Sequence, residues 1–237
     1  DHISDLADLH LMTWINSTRT KPMDVYGPNG VESVIHGFED AYKLDYQFRN
    51  EHHGDEIAPI NNAGFTPHTI DLNSSVIINE NGLIVTAFQV THEPIEPALG
   101  YRFEYGGRSI VISGDTSYSE NLIKNAQDAD VLFHEAQANH QLEIMKEALS
   151  SNKGLLKILN DIESYHTTPI DAAKAANLAN VDHLIFYHLT PAPRIGVMER
   201  MFYRGVNEIR TDWTSANDGT MAVLPLDSDE IIITEIN

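Results

Sequence analysis

Apolar and polar positions alternate with a helical period at the start of the chain and with a strand period later. Ile3, Leu6 and Leu9, with Met12 and Thr13 close by, fall near one face and predict a helix over residues 3–16. Asp24-Val25-Tyr26 reads as a short strand, and Gly27-Pro28-Asn29-Gly30 as a turn. Val31, Val34, Ile35, Phe38, Ala41 and Tyr42 then recur at helical spacing, and residues 46–66 read as polar and irregular.

From about residue 68 the pattern becomes that of strands. Asn81-Gly82 predicts a hairpin between 75–79 and 83–90, and Gly106-Gly107 a second one between 100–105 and 108–113. A helix is expected near 119–128, then a buried strand at Val131-Leu132-Phe133. Residues 138–160 read as helical with a weak point at Ser150–Gly154. Thr168-Pro169-Ile170-Asp171 carries the signals of a helix start, an N-cap residue, a first-turn proline and an early acid. Leu184–Tyr187 predicts a buried strand, 196–210 an amphipathic helix with Val197, Met201 and Phe202 on one side, and the end of the chain two strands near 220–225 and 230–235. Helices mixed with strands throughout, and no repeat or linker, predict one α/β domain over 1–237. The hairpins require antiparallel pairs, so a helix-on-sheet sandwich is expected rather than a purely parallel sheet.

Composition narrows the chemistry. The chain has no cysteine, so any metal must be held by His, Asp and Glu, a donor set suited to a hydrolytic Zn, Mn or Fe centre. The formal net charge of −20 disfavours nucleic acid, which needs Lys and Arg against its phosphates. No apolar run approaches the roughly 20 residues that span a bilayer, so a membrane partner is not expected. The first residues, Asp1-His2, follow no initiator Met, and the expectation is a processed or incomplete chain. Location stays open between periplasmic or secreted and cytoplasmic.

Four candidate ligand positions adjoin predicted elements. His92 ends the strand 85–90, Asp115 ends 109–112, His188 ends 184–187, and Asp1-His2 precedes the first helix. Side chains at strand ends are held by a rigid scaffold with open space beyond. The other histidines lack such a pattern. His52-His53 lies in a polar stretch, His68 reads as a strand-edge residue, and His10, His36, His140 and His183 fall on helices or strand starts. Met198 and Met201 read as core or an oligomer face.

Several of these segments together resemble the metallo-β-lactamase superfamily, in its ribonuclease Z-like and metal-dependent arylsulfatase-like branch. They are Ser113-Gly114-Asp115-Thr116, His134-Glu135-Ala136, His166-Thr167-Thr168-Pro169, Tyr187-His188-Leu189, Thr91-His92 followed by Ala98–Arg102, and Val25–Gly30. The resemblance implies an αββα sandwich, lacking its first strands here because only Asp1-His2 matches the end of the His-x-His-x-Asp-His signature. It implies two Zn²⁺ ions, with Mn²⁺ or Fe as substitutes. Asp1, His2 and His188 would bind one, His92 the other, and Asp115 would bridge them. His166 would act as a catalytic residue on the leaving group, Asp1 would orient a hydroxide, and Glu135 would orient His166 or a ligand.

The interval between His92 and Asp115 is too short for the tRNA-clamping arm of ribonuclease Z, while 138–160 resembles an added helical insertion, a lid or a homodimer contact. The expected function is therefore arylsulfatase-like hydrolysis of a small-molecule ester. The alternatives are a ribonuclease Z-type phosphodiesterase and a non-catalytic, metal-poor binding protein.

Overall fold

Gly30 and Gly54, both at positive φ, bracket the longest helix of the chain. A computed structural model describes residues 2–15 and 19–236. Its contacts divide the chain into two compact units, Asp1–Ser74 and Ser75–Asn237, where the sequence was read as one domain.

In the first unit α1 spans Leu6–Ile15, β1 Met23–Gly27, α2 Val31–His53 and β2 Phe65–Thr69. β1 and β2 pair in parallel, from Met23 against Phe65 to Gly27 against Thr69. Leu11, Trp14, Tyr46 and Ala58 form its apolar centre, with the Trp14 Nε1–H donating to the Pro59 carbonyl at 3.0 Å. The stretch 46–66, expected to be irregular, is helical as far as His53. No proline interrupts 31–53, and the helix stops only at Gly54. His52 and His53 therefore form its last turn and not a loop.

The second unit is built on a seven-stranded sheet in the order β3-β4-β5-β6-β7-β8-β9. The strands are β3 Val76–Glu80, β4 Leu83–His92, β5 Ile95–Tyr105, β6 Arg108–Ile112, β7 Val131–Gln137, β8 His183–Thr190 and β9 Trp213–Ser215. Both predicted hairpins form, so β3 to β6 are antiparallel, whereas β6 to β9 pair in parallel. Such parallel neighbours need crossovers. α3 (Glu120–Asn125) links β6 to β7; α4 (Asn139–Ala148), α5 (Lys153–Asp161) and α6 (Pro169–Leu178) lie between β7 and β8.

α6 is alanine-rich for a packing reason. Ala172, Ala173 and Ala176 are fully buried and belong to one cluster with Val111, Leu132, Leu184 and Phe186 of the strands, and small side chains let a helix backbone approach a sheet closely. The helix expected over 196–210 is shorter: α7 covers Gly196–Phe202 with Tyr203 as its C-cap, and Gly205 at φ 87° then starts a separate 3-10 turn at Val206–Glu208. Phe202 is buried as expected, but Val197 and Met201 are exposed. The strand β9 was not anticipated; three residues give too short a pattern to read. A separate antiparallel pair, β10 (Thr220–Val223) and β11 (Ile232–Glu235), follows. Among the described residues no helix is long and apolar enough to cross a membrane.

Candidate metal centre

β4, β6, β7 and β8 run in the same direction, so their C-terminal ends lie along one edge of the sheet, where the second unit collects its candidate residues. His92 is the last residue of β4, Asp115 lies three residues beyond β6, Glu135 is on β7 and His188 on β8. His166 comes from the chain just ahead of α6.

The Asp115 turn is shaped by its neighbours. Gly114 has φ 64°, and a Cβ on it would lie 2.3 Å from the Leu99 carbonyl oxygen, so only glycine fits. Thr116 Oγ1 accepts from the Thr91 N–H at 3.1 Å, tying the turn to β4. Ser113 Oγ accepts from the Glu135 N–H at 3.1 Å, tying it to β7.

Glu135 is fully buried. Its Oε1 accepts from the Thr167 N–H at 2.9 Å and the Thr116 N–H at 3.3 Å, and lies 3.2 Å from His166 Nδ1. One carboxylate thus joins β7, the Asp115 turn and the segment that carries His166. The imidazole presents Nδ1 to it and keeps Nε2 for other partners.

His92 is fixed in a similar way. Its Nδ1 is 2.8 Å from the Tyr165 carbonyl oxygen, an acceptor, so the ring carries its proton on Nδ1 and offers the Nε2 lone pair. The carbonyl belongs to the residue before His166, so the two rings are positioned by the same stretch of main chain. Ligand atoms of His92, Asp115 and His166 all lie within 4.8 Å of one another.

His188 sits inside β8 and not at its end as expected. A bulge opposite Glu135 and Ala136 turns its main chain to φ 45°, a conformation uncommon for a residue with a Cβ. Its Nε2 is 3.3 Å from Asp115 Oδ2, and that carboxylate raises the imidazole pKa. Burial pushes the neighbouring Tyr187 phenol up to about 12, which keeps it neutral.

Unit two therefore brings together His92, Asp115, Glu135, His166 and His188. His2 is an exposed residue of the first unit, ahead of α1, and Asp1 lies outside the described residues. The sequence reading made His166 a non-ligand, whereas the structure places it within ligand distance of His92 and Asp115. The pins on these residues, Tyr165, Thr116 and Thr167, were missed. All three act through main-chain atoms, which carry no residue-type signal; Thr116 adds its hydroxyl.

A model of the beta-lactamase superfamily domain matches residues 1–189. The chain belongs to this superfamily. Its relatives place it on the ribonuclease Z-like side. Ribonuclease Z of Mycolicibacterium gilvum (strain PYR-GCK) is 27% identical over 199 residues, which cover 83% of this chain and 64% of that relative. A putative ribonuclease Z of Mycobacterium tuberculosis (strain CDC 1551 / Oshkosh) is 28% identical over 197 residues, 81% of this chain and 80% of the relative. The chain thus spans 64% of the length of the first relative and 80% of the second.

Two superfamily structures agree in fold. The metallo-β-lactamase fold protein YhfI of Bacillus subtilis gives a TM-score of 0.55 at 16% identity, over 91% of this chain and 70% of that one. The short form of human tRNase Z gives 0.54 at 21%, over 78% of this chain and 66% of that one. The relatives' names favour the phosphodiesterase alternative over the arylsulfatase expectation, and they weaken the expectation that nucleic acid is disfavoured.

Proposed function

We propose that the chain is a metal-dependent phosphodiesterase of the ribonuclease Z-like branch. The observation that carries this reading is the buried Glu135 facing His166 beside the donors His92 and Asp115, in a chain whose relatives are named ribonuclease Z.

The residues present fit a hydrolytic metal. His92 is held in the tautomer that leaves Nε2 as a donor, and the set mixes imidazole with carboxylate and lacks thiolate, which suits Zn²⁺, Mn²⁺ or Fe. Within the second unit, His92, Asp115 and His188 would hold the metal ions. Bound there, divalent ions supply a water acidic enough to ionise near neutral pH and neutralise the phosphate oxygens.

The protein's own part is proton handling. Attack of water oxygen on phosphorus breaks the P–O bond to the leaving alcohol, whose oxygen needs a proton. Protonated His166 would deliver it from Nε2, with the Glu135 carboxylate facing Nδ1 at 3.2 Å. Its two main-chain donors hold the Glu135 carboxylate in the orientation this requires.

The test is a comparison of aryl esters with full-length protein loaded with Zn²⁺ or Mn²⁺. Turnover of bis(p-nitrophenyl) phosphate well above that of p-nitrophenyl sulfate is expected. The reverse preference restores the arylsulfatase reading. Fewer than one metal per chain, without turnover of either, supports a binding protein.

A further inference from the structure

A recess of about 430 Å³ opens directly from His188. Tyr187, His188, Glu199, Ser215, Asn217 and Asp218 are among the residues that line it. It lies wholly within the second unit, and its walls come from β8, α7 and the segment after β9. Its inner end belongs to the proposed metal centre, so a molecule reacting there must place one of its arms in the recess or along it.

The walls have a one-sided chemistry. Glu199 and Asp218 are carboxylates, Ser215 and Asn217 add oxygen acceptors, and no Lys or Arg is among the lining residues. The Ser215 hydroxyl oxygen already accepts from the Tyr203 hydroxyl at 2.8 Å, which holds it in place on the wall. Beyond His188, a phosphate seated here would meet the Glu199 and Asp218 carboxylates and no Lys or Arg. An ammonium or another hydrogen-bond donor would meet carboxylate and other oxygen acceptors.

We infer that this recess is a specificity subsite, which selects phosphodiesters whose arm carries a cationic, hydrogen-bond-donating group and no second phosphate. This rests on the phosphodiesterase reading and adds a substrate class to it. Selection works by attraction for the right arm and by like-charge repulsion of a polyanionic one. The same reasoning places any continuing nucleic-acid backbone outside this recess.

The experiment uses metal-loaded full-length protein and three p-nitrophenyl phosphodiesters whose second ester is ethyl, 2-aminoethyl or 2-phosphoethyl. The expected order of kcat/KM is aminoethyl, ethyl, phosphoethyl, with about tenfold between successive members. In the double variant Glu199→Gln/Asp218→Asn the aminoethyl advantage should shrink to about twofold and the phosphoethyl ester should gain. Calorimetry with the inert ethyl and 2-aminoethyl methylphosphonates reads the subsite without turnover, and wild type should bind the aminoethyl compound about tenfold more tightly. Equal binding of the two, or an unchanged preference in the double variant, overturns the subsite. Absence of turnover on all three diesters overturns the phosphodiesterase reading instead, and the calorimetry still decides the subsite.

Discussion

His10 in the first unit and His166 in the second are both largely shielded from water, yet their surroundings assign them opposite tasks. His10 is fully buried, edge-on to Tyr46 and 4.3 Å from the Phe65 ring centre. Its Nε2 lies 2.8 Å from the Tyr46 hydroxyl. Burial first, and the Arg19 charge second, lower its pKa to about 4, so it stays neutral. His166 faces the Glu135 carboxylate across 3.2 Å and lies beside the donors His92 and Asp115. Burial alone therefore says little about a histidine's role. The groups its ring faces separate a packing ring from one placed to move a proton.

The largest expected effect tests the reactive member of this pair. His166→Ala should lower kcat on the diester by about 10²- to 10⁴-fold, the usual range for a positioned acid–base group. Metal content, measured by elemental analysis, should stay that of the wild type. Loss of metal with activity would make His166 a ligand, as its distance from His92 and Asp115 allows. Glu135→Gln should lower kcat less, by about 10- to 100-fold, because it removes the carboxylate that faces the His166 ring.

A purely structural change gives the scale against which those losses are judged. Leu132 is 1% exposed in the core beneath the site, and Leu132→Ala should cost about 2–5 kcal/mol in denaturant unfolding. It should leave kcat per folded molecule close to that of the wild type. A catalytic loss as large as that of His166→Ala would mean that the site depends on sheet packing more than on the Glu135 pair.

The packing histidine is tested by acid. Its pKa is about 4 folded and 6.5 in the unfolded reference, so the unfolded chain binds the extra proton between these values. Stability from His10 is therefore complete above about pH 6.5 and is lost as pH falls towards 4, by an amount of order 3 kcal/mol. Other histidines titrate in the same window, so the measurement is the difference between wild type and His10→Gln across a pH series of unfolding curves. The difference should shrink on acidification. A constant gap would mean that His10 packs without a shifted pKa.

The same contrast explains what could be read from the chain alone. Hairpins at Asn81-Gly82 and Gly106-Gly107, the α6 start at Thr168 and the buried strands at 131 and 184 were legible because their signals are local. His92, Asp115, Glu135, His166 and His188 were legible as a group through resemblance, since their convergence spans nearly a hundred residues of chain. The left-handed turn at His188, the Tyr165 carbonyl that orients His92 and the end of α7 at Phe202 were not. The first two depend on main-chain geometry imposed by neighbouring strands, and helical spacing continued past the third. The extent of α2 was missed because polar residues on an exposed helix look like a loop once apolar repeats thin out.

The smallest effect asks whether His166 is placed by its own helix or by Glu135. Thr168 Oγ1 caps α6 by accepting the Asp171 N–H at 3.1 Å, and it donates to Asp171 Oδ2 at 2.8 Å. Thr168→Ala should cost about 1 kcal/mol of stability, and Thr168→Ser should recover most of it. Glu135 holds the Thr167 N–H and the His166 ring independently of the cap, so kcat should change by less than about threefold. A larger fall in kcat, recovered by the serine variant along with stability, would assign the ring's position to the helix start. Glu135 would then be a buried charge satisfied mainly by main-chain amides, closer in role to the packing of His10 than to catalysis.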